Sequence, residues 1–449
     1  MALAIQTSPK DWLFAIGLLA VTVAIGYLPG QSDFGPLISL YAVFFGLYLL
    51  AINCTSISAV PFYLGLAVVM RLIMVFAFPQ LSDDIYRFIW DGRLWNQGYN
   101  PFEQLPTYFV GGNLQVPGLT PELFSKLNSP EYFTIYPPVA QATFAIACWL
   151  FPNSIVASAL VMKSVLLAFE LGSLWLIVRL LRHYDLPPHL VLIYALNPLI
   201  ILEISGNVHF EGGMIFFLLL AWWLLICGRW TWSAIALALS IATKLLPLMF
   251  LPLLIRRLGW KRSLGYFVVL GMASILLFAP LLSQTFVQNF SNSLDLYFRK
   301  FEFNASIYYL LRWVGYQQVG YNLIAYIGPG LAIGTLTGIL FFTLFERQPN
   351  LRNWPTAMLF AITLYLFFTT TVHPWYTVMP LVLCIFTRFR FPIMWTGLIM
   401  LTYVNYSYPG YFENLWVVAI EYLVIFVVII LDYLGYEWIN RVFDFREKR

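Results

Sequence analysis

Apolar residues fill most of the chain in long runs that short polar segments separate. A run needs about 20 residues to cross the hydrocarbon core of a bilayer as a helix. The runs that approach or reach this length lie near residues 12–29, 35–52, 60–79, 156–180, 189–205, 209–228, 264–283, 320–345, 354–372, 374–387, 391–408 and 413–435. The pattern predicts an all-α polytopic membrane protein with about 12 transmembrane helices, within a range of about 11 to 13.

Two further apolar stretches are ambiguous. The stretch 138–152 is short and bounded by prolines, and 230–255 is broken by Lys244 and Pro247. If neither crosses as one straight helix, the basic loops fall on a single side, which the positive-inside tendency assigns to the cytoplasm. The basic residues that close the chain contribute to this assignment: Arg441, Arg446, Lys448 and Arg449.

This topology predicts a multi-pass protein of the cytoplasmic (inner) membrane with both termini in the cytoplasm. We read 1–449 as one integral membrane domain whose first apolar run is a retained span, because no small-residue cleavage site follows it. Segments 80–137 and 284–319 become the two long extracytoplasmic loops, and His373 lies in a tight turn on the same side. The first of these loops carries more acidic than basic residues.

Composition narrows the class of protein further. Of the 449 residues, 61% are hydrophobic and 10% are charged, against about a quarter charged in soluble domains. A net charge of +4 gives no argument for a nucleic-acid partner. No Walker A, dinucleotide-binding, HExxH or GxSxG motif is present in the sequence. An activated donor for a group transfer would therefore have to be reached in the membrane, which a lipid-linked donor allows.

The segment LSDDIYRFIWDGRLWNQGYNPF, residues 81–102, carries the clearest signal. Ser82 is a suitable N-cap, and Gly98 with Asn100-Pro101 would stop the helix. Apolar positions at helical spacing are Ile85, Phe88, Ile89 and Trp95, and polar positions on another face are Asp84, Arg87 and Asp91. The spacing predicts a short amphipathic helix that lies in the outer membrane interface.

Asp83 and Asp84 stand where an apolar run ends, and three roles are open for them. They can cap the helix and pair with Arg87, which is a structural role. One of them can act as a general base toward an acceptor hydroxyl. Together they can hold a divalent cation such as Mg²⁺ or Mn²⁺, although we expect no obligatory cofactor.

Other polar residues interrupt apolar sequence. His209 and Glu211 lie in SGNVHFEGG, and Lys244 in IATKLLPLMFLP, where its expected partner is Glu203, Glu211 or a phosphate. The His373 turn also contains Tyr376. Arg299 and Lys300 in the second loop either clamp a phosphate or balance charge at the surface. Arg71, Lys163 and Glu170 lie within spans, where we expect internal ion pairs.

Several motifs together resemble a known family. SDDIYRFIWDGRLWNQGYNPF, IYPPVAQATFA, GNVHFEGG, ATKLLPLMFLPLL, FNASIYYLLR and HPWYTVMPLVL occur in order between residues 81 and 383. The chain resembles the C-type glycosyltransferase superfamily, and most closely its polyprenyl-phosphate-mannose-dependent mannosyltransferases. These are distantly similar to the GPI mannosyltransferases. The resemblance implies the C-type fold and transfer of a hexose, mannose first, from a polyprenyl phosphate on the extracytoplasmic face.

The resemblance also implies roles for residues. Its D-x-x-Y spacing selects Asp83 with Tyr86 as the base motif, with Asp84 second because the aspartate is doubled here. A single base implies inversion, giving an α-mannoside. Arg87 would fix the acid pair, Asp83 and Asp84, and lower its pKa. The lipid phosphate would be held by Lys244, Arg299 and Lys300. The other residues expected to contact substrate, around the cavity, are Asp91, Arg93, His209, Glu211, His373 and Tyr376.

Two alternatives from other classes use the same residues. A transporter or flippase of a lipid-linked substrate would bind it with the intramembrane Lys, Glu and His but form no product. A ligase or polymerase of lipid-linked glycans would share the extracytoplasmic loops. Under the transferase interpretation, lipid, glycan and protein acceptors are all compatible with the sequence.

Overall fold

The computed structural model describes residues 6–110, 116–410 and 412–435, so Arg441, Arg446, Lys448 and Arg449 lie outside the described residues. The described part is helical, and its isolated extended pairing joins Phe303 to Thr371. In chain order the α-helices are α1 Pro9–Tyr27, α2 Phe34–Cys54, α3 Val60–Phe76, α4 Asp84–Asn96, α5 Pro106–Phe109, α6 Pro121–Ser125, α7 Pro138–Leu150, α8 Ile155–His183, α9 Leu192–Ala195, α10 Glu211–Ile226, α11 Trp230–Ile241, α12 Leu251–Leu258, α13 Trp260–Phe278, α14 Phe286–Arg299, α15 Ile307–Val319, α16 Ile324–Phe345, α17 Trp354–Phe368, α18 Val378–Cys384, α19 Phe391–Leu398 and α20 Leu415–Leu434.

Seven helices in the described ranges are long and apolar enough to cross a membrane. They are Pro9–Tyr27, Phe34–Cys54, Ile57–Phe76, Ile155–His183, Trp260–Leu281, Ile324–Phe345 and Leu415–Leu434. An eighth is obtained if the pair Pro188–Ala195 and Ile200–Gly206, bent by 59°, counts as one span. The protein is therefore all-α and polytopic, as predicted, but the predicted number of about 12 spans is not confirmed.

The difference arises because several apolar runs form short helices. The 16 residues of α10 extend about 24 Å, less than the roughly 30 Å of a hydrocarbon core. Prolines interrupt other runs: Pro198 lies in the break after α9, and Pro374 begins the short turn before α18. Hydropathy counts apolar residues, whereas helix breaks decide whether a run becomes one spanning element.

The two ambiguous stretches are also broken or short. The 13 residues of α7 extend about 20 Å and pack along α4 and α8. The stretch 230–255 divides into α11, a turn that contains Lys244, a 3₁₀ helix at Leu246–Phe250, and α12. The Val139 N–H donates to the Ala242 carbonyl at 2.9 Å, so α7 begins against the turn that carries Lys244.

Two groups of loop contacts lie at opposite ends of α13. At the basic end, Arg257 pairs with Glu346, which follows the last residue of α16. Arg256 donates to the Glu346 carbonyl at 2.8 Å. At the opposite end, Asn289 of α14 donates to the Phe102 carbonyl at 2.8 Å, so the two long loops contact each other.

Charged residues inside the bundle are held by buried partners. Arg71 of α3 and Glu170 of α8 form an ion pair at 3.1 Å, and both side chains are fully buried. Lys163 instead donates to the Met74 carbonyl at 2.8 Å and to the Ala77 carbonyl, near the C-terminus of α3. The predicted internal pairing is thus confirmed for Arg71 and Glu170. For Lys163 it is wrong, because two backbone carbonyls at the C-terminal end of α3 accept hydrogen bonds from its ammonium group.

Helix α4 is fixed by close packing on α7. A Cβ at Gly92 would collide with the Phe144 carbonyl oxygen, so glycine permits this approach. Phe88 stacks on Phe144 at 4.4 Å between ring centroids, and Phe210 meets Phe144 edge-on at 5.3 Å. This small apolar core, separate from the main one, joins α4 to the segment that precedes α10. It therefore sets the position of the acid pair relative to His209 and Glu211.

Candidate active site

The acid pair begins α4. Asp83 is the residue before the helix, and Asp84 is its first residue. Ser82 does not cap the helix as predicted, although its hydroxyl accepts weakly from the Asp84 N–H at 3.4 Å. Asp83 is exposed, and its carboxylate accepts no hydrogen bond from a residue that the structure describes. Asp84 accepts one from the Asn128 amide at 2.8 Å.

The electrostatics of Asp83 differ from the expectation. Although the Asp83 side chain is exposed, the surrounding protein removes part of its hydration. This loss, and then the neighbouring Asp84 charge, raise the pKa of the Asp83 carboxyl above its ordinary value. Arg87 was expected to lower it, but Arg87 forms its ion pair with Asp91 at 2.9 Å. Its guanidinium also donates to the Ser129 and Tyr132 carbonyls. Arg87 and Asp91 are four positions apart, so they lie on one helix face. This pairing directs the Arg87 guanidinium away from the first turn, where Asp83 and Asp84 lie.

Arg87 and Asp91 belong to a buried polar network rather than to a solvated helix face. Arg87 is 3% exposed and Asp91 is 0% exposed. The second Asp91 oxygen accepts from Gln141 of α7 at 2.9 Å, and the Gln141 oxygen accepts from Trp95 at 2.8 Å. The predicted amphipathic helix is present, but α7 covers the polar face that we expected to meet water. The expected substrate contacts of Arg87 and Asp91 stay predictions.

Two further residues of α4 contact later parts of the first long loop, which comprises residues 80–137. Arg93 donates to the Gly118 carbonyl at 2.6 Å, and burial lowers the pKa of its guanidinium. Lys126 lies 5.4 Å from the ring centre of Tyr86, a cation–π contact. Tyr86 is partly exposed beside the acid pair. Of the two, Tyr86 is better placed to reach a substrate.

A broken helix carries the second half of the site. After the 59° bend, the π-helical turn Ile200–Gly206 leads to Asn207 and His209. Val208 between them has φ of +65°, which costs a β-branched residue about 1–3 kcal/mol. Such π turns and strained residues cluster at functional sites. Here they bring Asn207 and His209 back toward Glu203.

Glu203 is the centre of this segment and is fully buried. One of its carboxylate oxygens accepts from the Tyr403 hydroxyl at 2.8 Å. The other lies 3.3 Å from the Asn207 amide nitrogen and 3.2 Å from Nε2 of His209. Sequence considered Glu203 only as one partner for Lys244, and the structure gives it these three partners instead.

An aromatic stack joins His209 to the His373 turn. The His209 ring lies on Trp375 with 3.6 Å between centroids, and Trp375 lies parallel to His373 at 4.6 Å. His373 continues the stack onto Phe303 at 4.8 Å. Burial, and then the charges of Lys244 and His209, lower the pKa of His373 to about 3, so its ring is neutral at physiological pH.

Lys244 pairs with Glu211 in the first turn of α10. The negative charge of Glu211 is also favoured at this helix N-terminus. The Lys244 ammonium lies 5.1 Å from the ring centre of Tyr376, and its side chain is 22% exposed. The turn that breaks 230–255 therefore presents a cation beside the His373 turn.

The two halves of the site face each other across Tyr406. The charges of Asp84, Glu203 and Asp83 all act on the Tyr406 hydroxyl. Tyr406 lies 6.2 Å from Phe303, and the Phe303 N–H donates to the Thr370 carbonyl at 3.0 Å. The acid pair, the Glu203 segment and the His373 turn thus surround one region, although they are far apart in sequence.

Arg299 and Lys300 differ from the other predicted site residues. Both are exposed at the end of α14, and Arg299 pairs with Asp295 of its own helix at 2.8 Å. Hydrogen bonds from α14 to the first loop come from Asn289 and from Ser293, which donates to the Phe133 carbonyl at 3.1 Å. The role of Arg299 and Lys300 in binding a phosphate stays a prediction.

Comparison with known proteins adds an independent observation. Residues 19–258 match the family described as alpha-(1->6)-mannopyranosyltransferase, N-terminal domain. The match covers more than half of the chain. The chain belongs to this family. The resemblance to polyprenyl-phosphate-mannose-dependent C-type glycosyltransferases is therefore confirmed.

A curated relative agrees with the alpha-(1->6)-mannopyranosyltransferase family. The alpha-(1->6)-mannopyranosyltransferase B of Corynebacterium glutamicum is 25% identical over an alignment of 221 residues. The match covers 45% of this chain and 36% of the relative. The family match includes the acid pair, Glu203 and Lys244, and ends before the His373 turn. The family match thus covers the acid pair and Lys244 but not the whole site.

A metal ion would depend on the acid pair. Across residues 6–110, 116–410 and 412–435, no group of three or more His, Cys, Asp or Glu side chains has the spacing of a metal site. Asp83 supplies open carboxylate oxygens, and Asp84 keeps one that does not bind Asn128. These two side chains are the ones that could hold Mg²⁺ or Mn²⁺ here, with substrate oxygens or water completing the shell.

Sequence reasoning missed several residues around the site. Tyr403 and Tyr406 follow α19 in an apolar run with no distinguishing pattern, and Trp375 was treated only as part of a turn. Glu203 and Asn207 stand out in the sequence as polar residues among apolar ones, but their contact with each other does not. The arrangement offers a carboxylate with raised pKa on one side and a lysine on the other, as proton transfer with departure of an anion requires.

Proposed function

We propose that this protein is an inverting glycosyltransferase that moves a mannosyl group from a polyprenyl-phosphate donor to an acceptor hydroxyl. The observation that carries the proposal is the open Asp83 carboxylate, whose elevated pKa suits a base, in the same region as the Lys244 cation. Membership of the mannopyranosyltransferase family supports mannose as the sugar.

The chemistry is a single displacement. The Asp83 carboxylate takes the proton of the acceptor hydroxyl while that oxygen bonds to the anomeric carbon. The bond from that carbon to the phosphate oxygen breaks, and the electron pair leaves with polyprenyl phosphate. Lys244 balances the charge that develops on this leaving group, with the neutral His373 ring and Tyr376 beside it.

A lipid-linked donor is supported by an apolar groove whose lining begins at Leu248, four positions after Lys244 in the chain. Its walls come from the 3₁₀ helix and α12 after the Lys244 turn, from α16, and from the end of α17. It is lined by Leu248, Met249, Pro252, Gly328, Ala332, Thr335, Leu336, Ile339, Tyr365, Phe368, Thr369 and Thr370. Thr370 begins the segment that leads to His373, so an isoprenoid chain in this groove would have its phosphate end near the site.

The side of the membrane is part of the proposal. The first long loop, which carries Asp83 and Asp84, contacts the second long loop at one end of the bundle. The loop with Arg256 and Arg257 lies at the other end. Excess Lys and Arg favours the cytoplasm for the second end. This supports an extracytoplasmic site in an inner membrane, with a lipid, glycan or protein acceptor.

The direct test uses purified protein in detergent with polyprenyl-phosphate-mannose and a membrane extract as the acceptor source. We expect release of polyprenyl phosphate with formation of a mannosylated product. Asp185→Asn is the matched control for Asp-to-Asn variants at the site, because Asp185 is exposed before the bend and its φ of +54° suits asparagine as well. Flux of intact donor across vesicles without product would instead support the transporter alternative.

The groove has its own test. Ala332→Trp fills it and should raise KM for a long-chain donor by about tenfold, with a smaller effect on a short-chain analogue. Ile333→Trp is the matched control, because Ile333 is the next residue of α16 and is 66% exposed. Equal effects on long- and short-chain donors would contradict a lipid role for the groove.

A further inference from the structure

We propose that Asn207, oriented by Glu203, is a positioning residue that holds the Asp83 segment in its reactive place. The inference rests on the proposed function, in which Asp83 is the base. It concerns a different element: Asn207 lies 126 residues from the peptide that it contacts. Neither residue has to touch the substrate in this role.

The peptide in question is Leu81, two residues before Asp83. Its N–H donates to the Asn207 side-chain oxygen at 3.3 Å. Its carbonyl accepts from the Gln31 side chain at 3.1 Å. Both polar groups of one peptide are therefore held by side chains from other elements, immediately before the chain turns into α4. Because Asp83 follows two residues later, holding the Leu81 peptide in place also holds the position of Asp83.

Glu203 determines which way the Asn207 amide points. A carboxylate only accepts hydrogen bonds, so the Asn207 NH₂ group must face it, as it does at 3.3 Å. The amide oxygen then faces Leu81, where it can accept from the N–H. If the amide turned over, its NH₂ would meet a second donor. The buried Glu203 carboxylate thus selects the Asn207 amide orientation that accepts a hydrogen bond from the Leu81 N–H.

The local backbone supports this assignment. Asn207 follows a π-helical turn and precedes Val208, whose positive φ lets both Asn207 and His209 face Glu203. Tyr403 fixes the remaining Glu203 oxygen. Glu203 is 0% and Asn207 2% exposed, so water does not compete for these bonds. A buried turn in which Glu203 holds the Asn207 amide is suited to fixing the neighbouring Leu81 peptide.

Loss of the contact should affect the chemical step more than donor binding. A base displaced by about 1 Å can lose about 100-fold in rate. Lys244 and Tyr376 belong to other elements, so the donor phosphate side keeps its contacts. We expect Asn207→Ala to lower kcat about 10- to 100-fold, with KM for polyprenyl-phosphate-mannose within about twofold.

Asn197→Ala is the matched control. Asn197 lies in the same broken segment and is also fully buried. Its amide bonds to Thr396 at 3.0 Å and to the Leu199 N–H at 3.0 Å, away from Leu81. Both variants should lower the thermal midpoint, but only Asn207→Ala should lower kcat beyond about threefold. Equal kcat values in the two variants would show a purely structural role and overturn the proposal.

Glu203 variants test the orientation step. In Glu203→Gln the new amide oxygen can still accept from Asn207 while its NH₂ donates to the Tyr403 hydroxyl, so kcat should stay within about fivefold of wild type. Glu203→Leu removes every acceptor, and its kcat should fall as in Asn207→Ala. A Glu203→Leu protein with wild-type kcat would contradict the role of the carboxylate.

Two further measurements keep the outcome decisive. Gln31→Ala removes the other anchor of Leu81 at a partly exposed position, so this variant can be purified even if Asn207→Ala cannot. We expect its kcat to fall about two- to tenfold, and an unchanged kcat would count against the proposal.

Asp83→Asn is assayed in parallel. Full transfer by Asp83→Asn would refute the proposed function itself, whereas its loss beside unaffected Asn207→Ala would refute only this inference.

Discussion

Helix α4 carries two kinds of carboxylate two turns apart. Asp91 is fully buried and holds Arg87 at 2.9 Å and Gln141 at 2.9 Å. Asp83 is exposed before the first turn, but the surrounding protein removes part of its hydration. This loss and the Asp84 charge raise its pKa, and no hydrogen bond within the described chain offsets them. Both Asp91 oxygens accept hydrogen bonds from protein groups, whereas the Asp83 carboxylate accepts none from the described residues.

This contrast separates a structural acid from a candidate catalytic one. A buried carboxylate that accepts from Arg87 and Gln141 stabilises the helix, and burial with these partners keeps it from a substrate proton. An open carboxylate with an elevated pKa costs stability and is available for proton transfer. The following variants test whether the two ends of α4 differ in this way.

The largest expected effect is on transfer by Asp83→Asn. Loss of a general base typically costs about 10²–10⁴-fold in rate. Because Asp83 has no protein partner in the described residues, its thermal midpoint should stay near that of wild type. Product formation from polyprenyl-phosphate-mannose and thermal unfolding in detergent measure the two quantities. A protein that unfolds early instead would place Asp83 in the same class as Asp91.

Arg87→Met should act on stability instead of chemistry. It leaves Asp91 buried without its cation, and breaking such a pair typically costs about 3–5 kcal/mol of unfolding free energy. The double variant Arg87→Met/Asp91→Leu removes the uncompensated charge and should recover much of that loss. Unfolding monitored in one detergent condition gives both values. A double variant no more stable than Arg87→Met would argue against the pair as the cause.

Asp84→Asn should shift the pH dependence of transfer. A base works in its deprotonated form, so the rate falls as pH drops through the pKa of Asp83. The Asp84 charge raises that pKa, and its removal should therefore move the acid limb of the kcat/KM profile to lower pH. The profile is measured for wild type and variant at fixed ionic strength. A shift to higher pH would contradict the electrostatic assignment.

The smallest expected effect belongs to Asn128→Ala. It removes one exposed hydrogen bond to Asp84, a bond of 2.8 Å that contributes about 0.5–1.5 kcal/mol. We expect a change in kcat/KM of about fivefold or less and no change in donor binding. Ser125→Ala is the comparison, because Ser125 is also exposed in the first loop but bonds only to its own helix at Glu122.

Much of the architecture could be read from the chain. Apolar run length predicted an all-helical polytopic protein, and the runs correspond in position to helices or helix pairs. Lys244 and Pro247 marked a real break, and periodicity placed α4 correctly. The D-x-x-Y segment and the motifs after it identified the family. These are local properties, since hydropathy, proline and helical spacing act over a few residues.

Only the tertiary structure decided which side chains meet. Helical spacing put Asp84, Arg87 and Asp91 on related faces but could not show that α7 covers that face, with Gln141 50 residues away. Nor could it show that Tyr403, 200 residues from Glu203, completes that carboxylate. The number of full spans was likewise set by breaks and packing. The physical reason is that burial and hydrogen bonding depend on what lies opposite a residue in space, and residues distant in the chain supply that partner.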